Sequence, residues 1–256
     1  MQPMKNFFTE LHRRNALLSV VGWICLLGAI ISAVMTQVSD TIVLGISAYI
    51  KPMKFFLSIT AFTWTMGWYL EYLHMPRRAV AYSVMCLIVF AFELYVITWQ
   101  ASNGRLSHFN ISTRFYGLLF SLMGAAIVIL WAWTCYITFL FFRRQYDLSQ
   151  PYLWGIRLGL IIFLIFSIEG GVMAAQLTHT VGGPDGSAGL PVVNWSKQYG
   201  DLRVAHFFGM HALQIIPLFG YYVFRKSGSV FLFATFYFLL VSSLLIQALN
   251  KIPLFF

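Results

Sequence analysis

Seven runs of roughly 20 consecutive, mostly apolar residues separated by short polar turns leave this chain one kind of home, since a helix of that length crosses a ~30 Å hydrocarbon core. Inside hydrocarbon every backbone N–H and C=O needs a partner within the protein, and a lone apolar run finds one only as an α-helix. The runs cover about 16–35, 54–73, 79–99, 114–142, 154–176, 201–224 and 229–249. Only 10% of the 256 residues are charged, against about a quarter in soluble domains. The sequence therefore predicts an all-α polytopic membrane helical bundle of seven transmembrane helices, formed as a single domain over 1–256.

The first run is expected to remain as a span, because it is about 20 residues long and no small-x-small cleavage site precedes a soluble domain. Ahead of it, MQPMKNFFTELHRRN is short, basic and amphipathic, and should lie along the cytoplasmic surface. The segment 39–53 mixes apolar and polar residues and reads as an interfacial or re-entrant piece. Cys25, Cys86 and Cys135 fall inside apolar runs without metal-ligand or redox spacing and read as small core residues.

The net charge of +9 does not form a nucleic-acid patch, because the basic residues sit in small clusters between apolar runs. Ten of the 17 Lys and Arg residues (Lys5, Arg13, Arg14, Arg77, Arg78, Arg143, Arg144, Arg157, Arg225 and Lys226) fall on the side of the N-terminus. Cytoplasmic loops carry the basic excess, so the N-terminus is expected inside and the C-terminus outside. Both longer loops, with His108 and His179, are then outer.

Ionisable residues within spans are costly and mark function or pairing. Asp201 to Pro217, DLRVAHFFGMHALQIIP, carries Arg203, His206, His211 and Gln214 into the sixth span. His206 and His211 are five residues apart, which is not the HxxxH spacing of a helical zinc pair. Glu93 and Glu169 lie about seven residues from the outer ends of the third and fifth spans, roughly 10 Å deep. Each has a glutamine seven positions on, Gln100 and Gln176, which shares its helix face.

Carboxylate and imidazole groups in this number suit a divalent transition metal or haem b, and they equally suit proton transfer. On the first reading Glu169, Glu93 and Arg203 are catalytic. His206, His211 and Gln214 hold a cofactor, and His108, His179, His206 and His211 supply metal ligands. The substrate would be a lipid, a quinone or another small molecule from the bilayer. A proton-coupled transporter or channel using Glu93, Glu169 and His211 is the alternative, and an accessory subunit a third. Glu71 is expected to pair with His74, Arg77 and Arg78. Gly155 and Gly159 form a GxxxG that favours close helix approach. Asn110 and Asn194 head glycosylation-type tripeptides on outer loops.

The blocks KPMKFFLSITAFTWTMGWY, SHFNIST and GDLRVAHFFGMHALQIIPL resemble segments of uncharacterised bacterial multi-pass inner-membrane proteins. That resemblance implies a bacterial inner-membrane location and carries no activity or residue role with it. Other seven-helix patterns fit poorly. The last span has no central lysine for a retinal Schiff base, and the histidine boxes of membrane desaturases are absent.

Overall fold

The computed structural model describes residues 7–255, so Lys5 of the basic N-terminal cluster lies outside the described residues. Eight α-helices are described: α1 (Phe7–Arg14), α2 (Ala16–Val38), α3 (Ile50–Leu70), α4 (Pro76–Ser102), α5 (Arg114–Arg143), α6 (Gln150–Gln176), α7 (Leu202–Tyr222) and α8 (Ser227–Leu249). Two short antiparallel pairs accompany them. β1 (Ile42–Val43) pairs with β2 (Ile46–Ser47), and β3 (Thr180–Val181) with β4 (Gly200–Asp201).

Six of these helices, α2 and α4 to α8, are long and apolar enough to cross a membrane, counted among the described residues. The fold is that of a helical membrane bundle. α3, where the sequence predicts the second span, is not among the six. Its lysines, threonines and tryptophans lower its hydropathy, although at 21 residues it is long enough, about 31 Å. The segment expected to be interfacial or re-entrant contains the β1–β2 hairpin, turned through Leu44 and Gly45, both at positive φ. The chain divides into two compact units, Met1–Trp133 and Thr134–Phe256, with the division inside α5.

In the first unit α3 runs antiparallel along α2, and small residues set how closely they approach. Gly67 lies against Leu18, Gly22 against the Trp64 ring and Gly28 against Phe56. The α3 hydroxyls turn back on their own helix: Thr60 donates to Phe56 O at 2.9 Å, Thr63 to Ile59 O at 2.8 Å and Thr65 to Ala61 O at 2.7 Å. Such bonds leave few polar groups unpaired where water is absent. Asn15 caps α2 by accepting from Leu18 N at 3.0 Å, and its amide donates to Ser83 of α4 at 2.8 Å. The first turns of α2 and α4 are thereby held side by side.

α1 packs over this end through Leu11, which is fully buried, and through Phe8 against Trp23 and Trp64. Glu10 accepts from Arg13 and Arg14, whose hydrogen bonds hold its carboxyl down at about 2. Glu71 pairs with Arg13 of α1 at 3.7 Å. A left-handed His74 ends the 3-10 turn Glu71–Leu73, two residues before α4 begins at Pro76.

In the second unit α6 and α7 pack antiparallel over most of their length. A Cβ on Gly155 would lie 2.8 Å from Pro217 Cα, one on Gly159 2.8 Å from Ala212 O, and one on Gly220 2.6 Å from Pro151 O. The GxxxG expectation thus has its partner in α7, which runs through Pro217 without a break. α8 completes a core of Ile162, Phe166, Ala205, Ala212, Ile216 and Val241. Tyr237 ties α8 to α7 by donating to Phe208 O at 2.7 Å.

Candidate functional site

Glu169 lies two turns before the end of α6, on the helix turn that meets His206 of α7. Burial there is set by packing: Phe166 fills the notch left by Gly209, and Gly170 leaves room for the imidazole of His206. His206 Nδ1 is 2.9 Å from Phe166 O. A carbonyl can only accept, so Nδ1 carries the hydrogen and Nε2 presents a lone pair when the ring is neutral. Glu169 is 6% exposed, and among the described residues neither of its carboxyl oxygens has a hydrogen-bond partner. A buried carboxyl without a partner is expensive to keep charged.

The remaining polar residues of α7 have other occupations. Asp201 caps the helix, accepting from Arg203 N at 3.0 Å and from Ser196 N at 2.7 Å. Arg203 grips the same carboxylate twice, at 2.8 and 2.5 Å, and donates to Asn194 O at 2.6 Å. Its guanidinium therefore fastens the preceding loop to the start of α7. His211 Nδ1 lies 3.3 Å from Gln214 Oε1, with the ring edge-on to Phe207 at 4.5 Å.

His179 belongs to the loop between α6 and α7, where its Nδ1 meets Asp185 at 2.5 Å. Asp185 also accepts from the backbone N–H of His179 at 3.0 Å and from the hydroxyls of Thr178 and Thr180 at 3.0 and 3.1 Å. Burial alone would raise its pKa, but the bonds and charge of His179 outweigh this and hold the carboxyl well below the usual carboxylate range. Gly182 and Gly200 of this loop lie against Lys251 and Ala248, so the loop covers the end of α8.

In the first unit Glu93 is 2% exposed, and its Oε1 has no hydrogen-bond partner among the described residues. Gln100, on the same face of α4, is a tether: it donates to Ser107 O at 3.1 Å and accepts from Asn110 Nδ2 at 2.7 Å. That nitrogen is the atom a glycan would occupy, and Asn110 is buried. His108 stacks on Phe55 of α3 at 5.2 Å. The SHFN segment is thus folded back onto α3 and α4.

Of the expected metal ligands, His108 lies in the first unit and His179, His206 and His211 in the second. Among the described residues no group of three or more His, Cys, Asp or Glu side chains is arranged to hold a metal ion. The second unit brings Glu169 and His206 to one level and leaves His179 and Arg203 as loop fasteners. Sequence reading passed over Asp185, whose place among Thr178, His179 and Thr180 depends on a loop with no periodic pattern. It also passed over the capping role of Asp201, which is legible in an Asp just ahead of a helical run. Comparison with protein-family models, with curated proteins and with solved structures finds no match to this chain.

Proposed function

We propose that this chain is an integral membrane protein that handles protons within its helices, the chemistry of proton-coupled transporters and channels. The observation that carries this reading is Glu169, buried in α6 with both oxygens unpartnered among the described residues. A carboxyl kept at such cost in a bilayer is a group that gains and loses a proton during the working cycle. Glu93 of α4 is a second carboxyl of the same kind in the other unit. His206, with Nδ1 fixed by a carbonyl and at the level of Glu169, supplies a base that can pass a proton on.

Seven membrane crossings with the N-terminus inside belong to this reading. It is supported by α3 lying antiparallel along α2 and by the contact of Asn15 with Ser83, which needs α2 and α4 to begin at one level. The basic turns then face the cytoplasm of a bacterial inner membrane.

Infrared difference spectra of the purified protein in lipid, recorded between acid and alkaline pH, test the proton reading. A titrating protonated-carboxyl band that Glu169→Gln diminishes supports it, and a spectrum without such a band rejects it. A second reading, a haem- or metal-dependent enzyme, is favoured by the anchored Nδ1 of His206, because ligating histidines have their other nitrogen held in this way. A Soret band or bound metal lost in His206→Ala is its signature.

A further inference from the structure

We propose that the first unit binds an anionic phospholipid from the leaflet at its basic turns, in a cavity between the starts of α2 and α4. The cavity measures about 540 Å³ and is lined by Arg14, Glu71 and His74 on one side and by Ala16, Leu17 and Val80 on another. That lining is polar where a headgroup would sit and apolar where acyl chains would leave. The apolar side continues along both helices into Val20, Ile24 and Val84, all exposed.

Charge selects the headgroup. Arg77 and Arg78 are exposed on the residues directly following the lining segment of His74 to Pro76, and Arg13 lies beside Arg14. The one carboxylate in the lining, Glu71, faces Arg13 at 3.7 Å, and Glu10 is already bonded to Arg13 and Arg14. Basic residues at this depth attract anionic lipid, and each strengthens binding about fivefold. Volume selects the source. The cavity is within the range of small-molecule sites and far larger than a free phosphate fills, so the phosphate arrives on a lipid.

The test is native mass spectrometry of the delipidated full chain in detergent, offered phosphatidylglycerol, phosphatidylcholine with the same acyl chains, or inorganic phosphate. Phosphatidylglycerol should be retained in preference to phosphatidylcholine, with retention falling about fivefold in each of Arg77→Gln and Arg78→Gln. Ala16→Trp fills the apolar side from an exposed position and should displace the lipid while circular dichroism stays unchanged. Equal retention of the two lipids overturns the proposal, as does retention unmoved by Ala16→Trp. Displacement of phosphatidylglycerol by inorganic phosphate at equal concentration overturns the lipid as the source.

Discussion

Arg157 and Glu169 carry ionisable groups into the same helix on opposite terms. Arg157 is 8% exposed, yet it donates to Phe141 O at 2.9 Å and Arg144 O at 3.3 Å. Its guanidinium stacks over Trp154 at 4.8 Å and Phe142 at 5.3 Å. It closes the end of α5, where the last carbonyls have no partner in their own helix. Arg157→Leu should cost roughly 2–3 kcal/mol, because charge-assisted bonds are lost and carbonyls stay buried. Arg157→Lys should recover only part of this, since an ammonium cannot fork between two carbonyls while stacking on two rings. Thermal unfolding in detergent measures both. Glu169 has no such bonds to lose, so Glu169→Gln should change stability by less than about 1 kcal/mol. Proton entry into proteoliposomes under an imposed potassium diffusion potential should fall at least tenfold in the same variant. A variant that loses stability and keeps its proton flux would make Glu169 a packing residue.

At the scale of elements, the α6–α7 pair shows what small residues do in a bilayer, where apolar surface alone does not drive helices together. Gly159 lies so close to α7 that a Cβ would meet the backbone oxygen of Ala212 at 2.8 Å. Backbone cannot swing aside like a side chain, so Gly159→Ala should cost about 1–3 kcal/mol. Gly171, where an added Cβ meets nothing within 4 Å, is the control and should tolerate Ala. The loop between these helices should respond to acid. Asp185 has a lowered pKa, so its stabilisation is complete above the unfolded value of about 4 and is lost as pH falls below it. Protection from hydrogen exchange at Thr180 and Val181, taken relative to the intrinsic rate at each pH, should fall below about pH 4 in the wild type, and be already low at neutral pH in Asp185→Asn. These elements differ in how far the sequence announces them. Helix extents follow from hydrocarbon thickness and the spacing of Gly155 and Gly159 from close approach, and both are read directly from residue order. The roles of Arg203 and His179 were not legible. Asp201 and Asp185 engage them through loop geometry, and an arginine beside a helix start looks the same in sequence whether it grips a ligand or its own cap. Glu169 was singled out by its depth, but that neither oxygen finds a partner is a property of the folded packing.

For the whole molecule, the number of crossings decides which residues share a side of the membrane, and α3 decides the number. Among the described residues hydropathy alone ranks six helices as spans and omits α3. Packing supports the proposed seventh crossing, because Gly67–Leu18, Gly22–Trp64 and Gly28–Phe56 align α3 antiparallel with α2 over residues 18–28 and 56–67. On the proposed reading, a helix that follows a span in this way lies in the bilayer with it. Were α3 not to cross, α4 would begin at the far surface, and Asn15 could not reach Ser83 at 2.8 Å. The cost of immersing α3 is modest, since its threonines bond to carbonyls one turn back and Trp64 Nε1 donates to Ser19 O at 3.3 Å. Lys51 and Lys54 sit in its first turns, where their stems can carry the ammonium groups to the interface. The proposed seven crossings would put residues 1 and 256 on opposite sides of the membrane. Alkaline phosphatase fused after residue 256 should therefore be active in a bacterial host, where it folds only outside the cytoplasm, and a fluorescent protein at the same place should stay dark. The fluorescent protein inserted in the 144–149 turn should be bright, as should one fused ahead of residue 1. Brightness at both chain ends would mean an even number and take α3 out of the membrane.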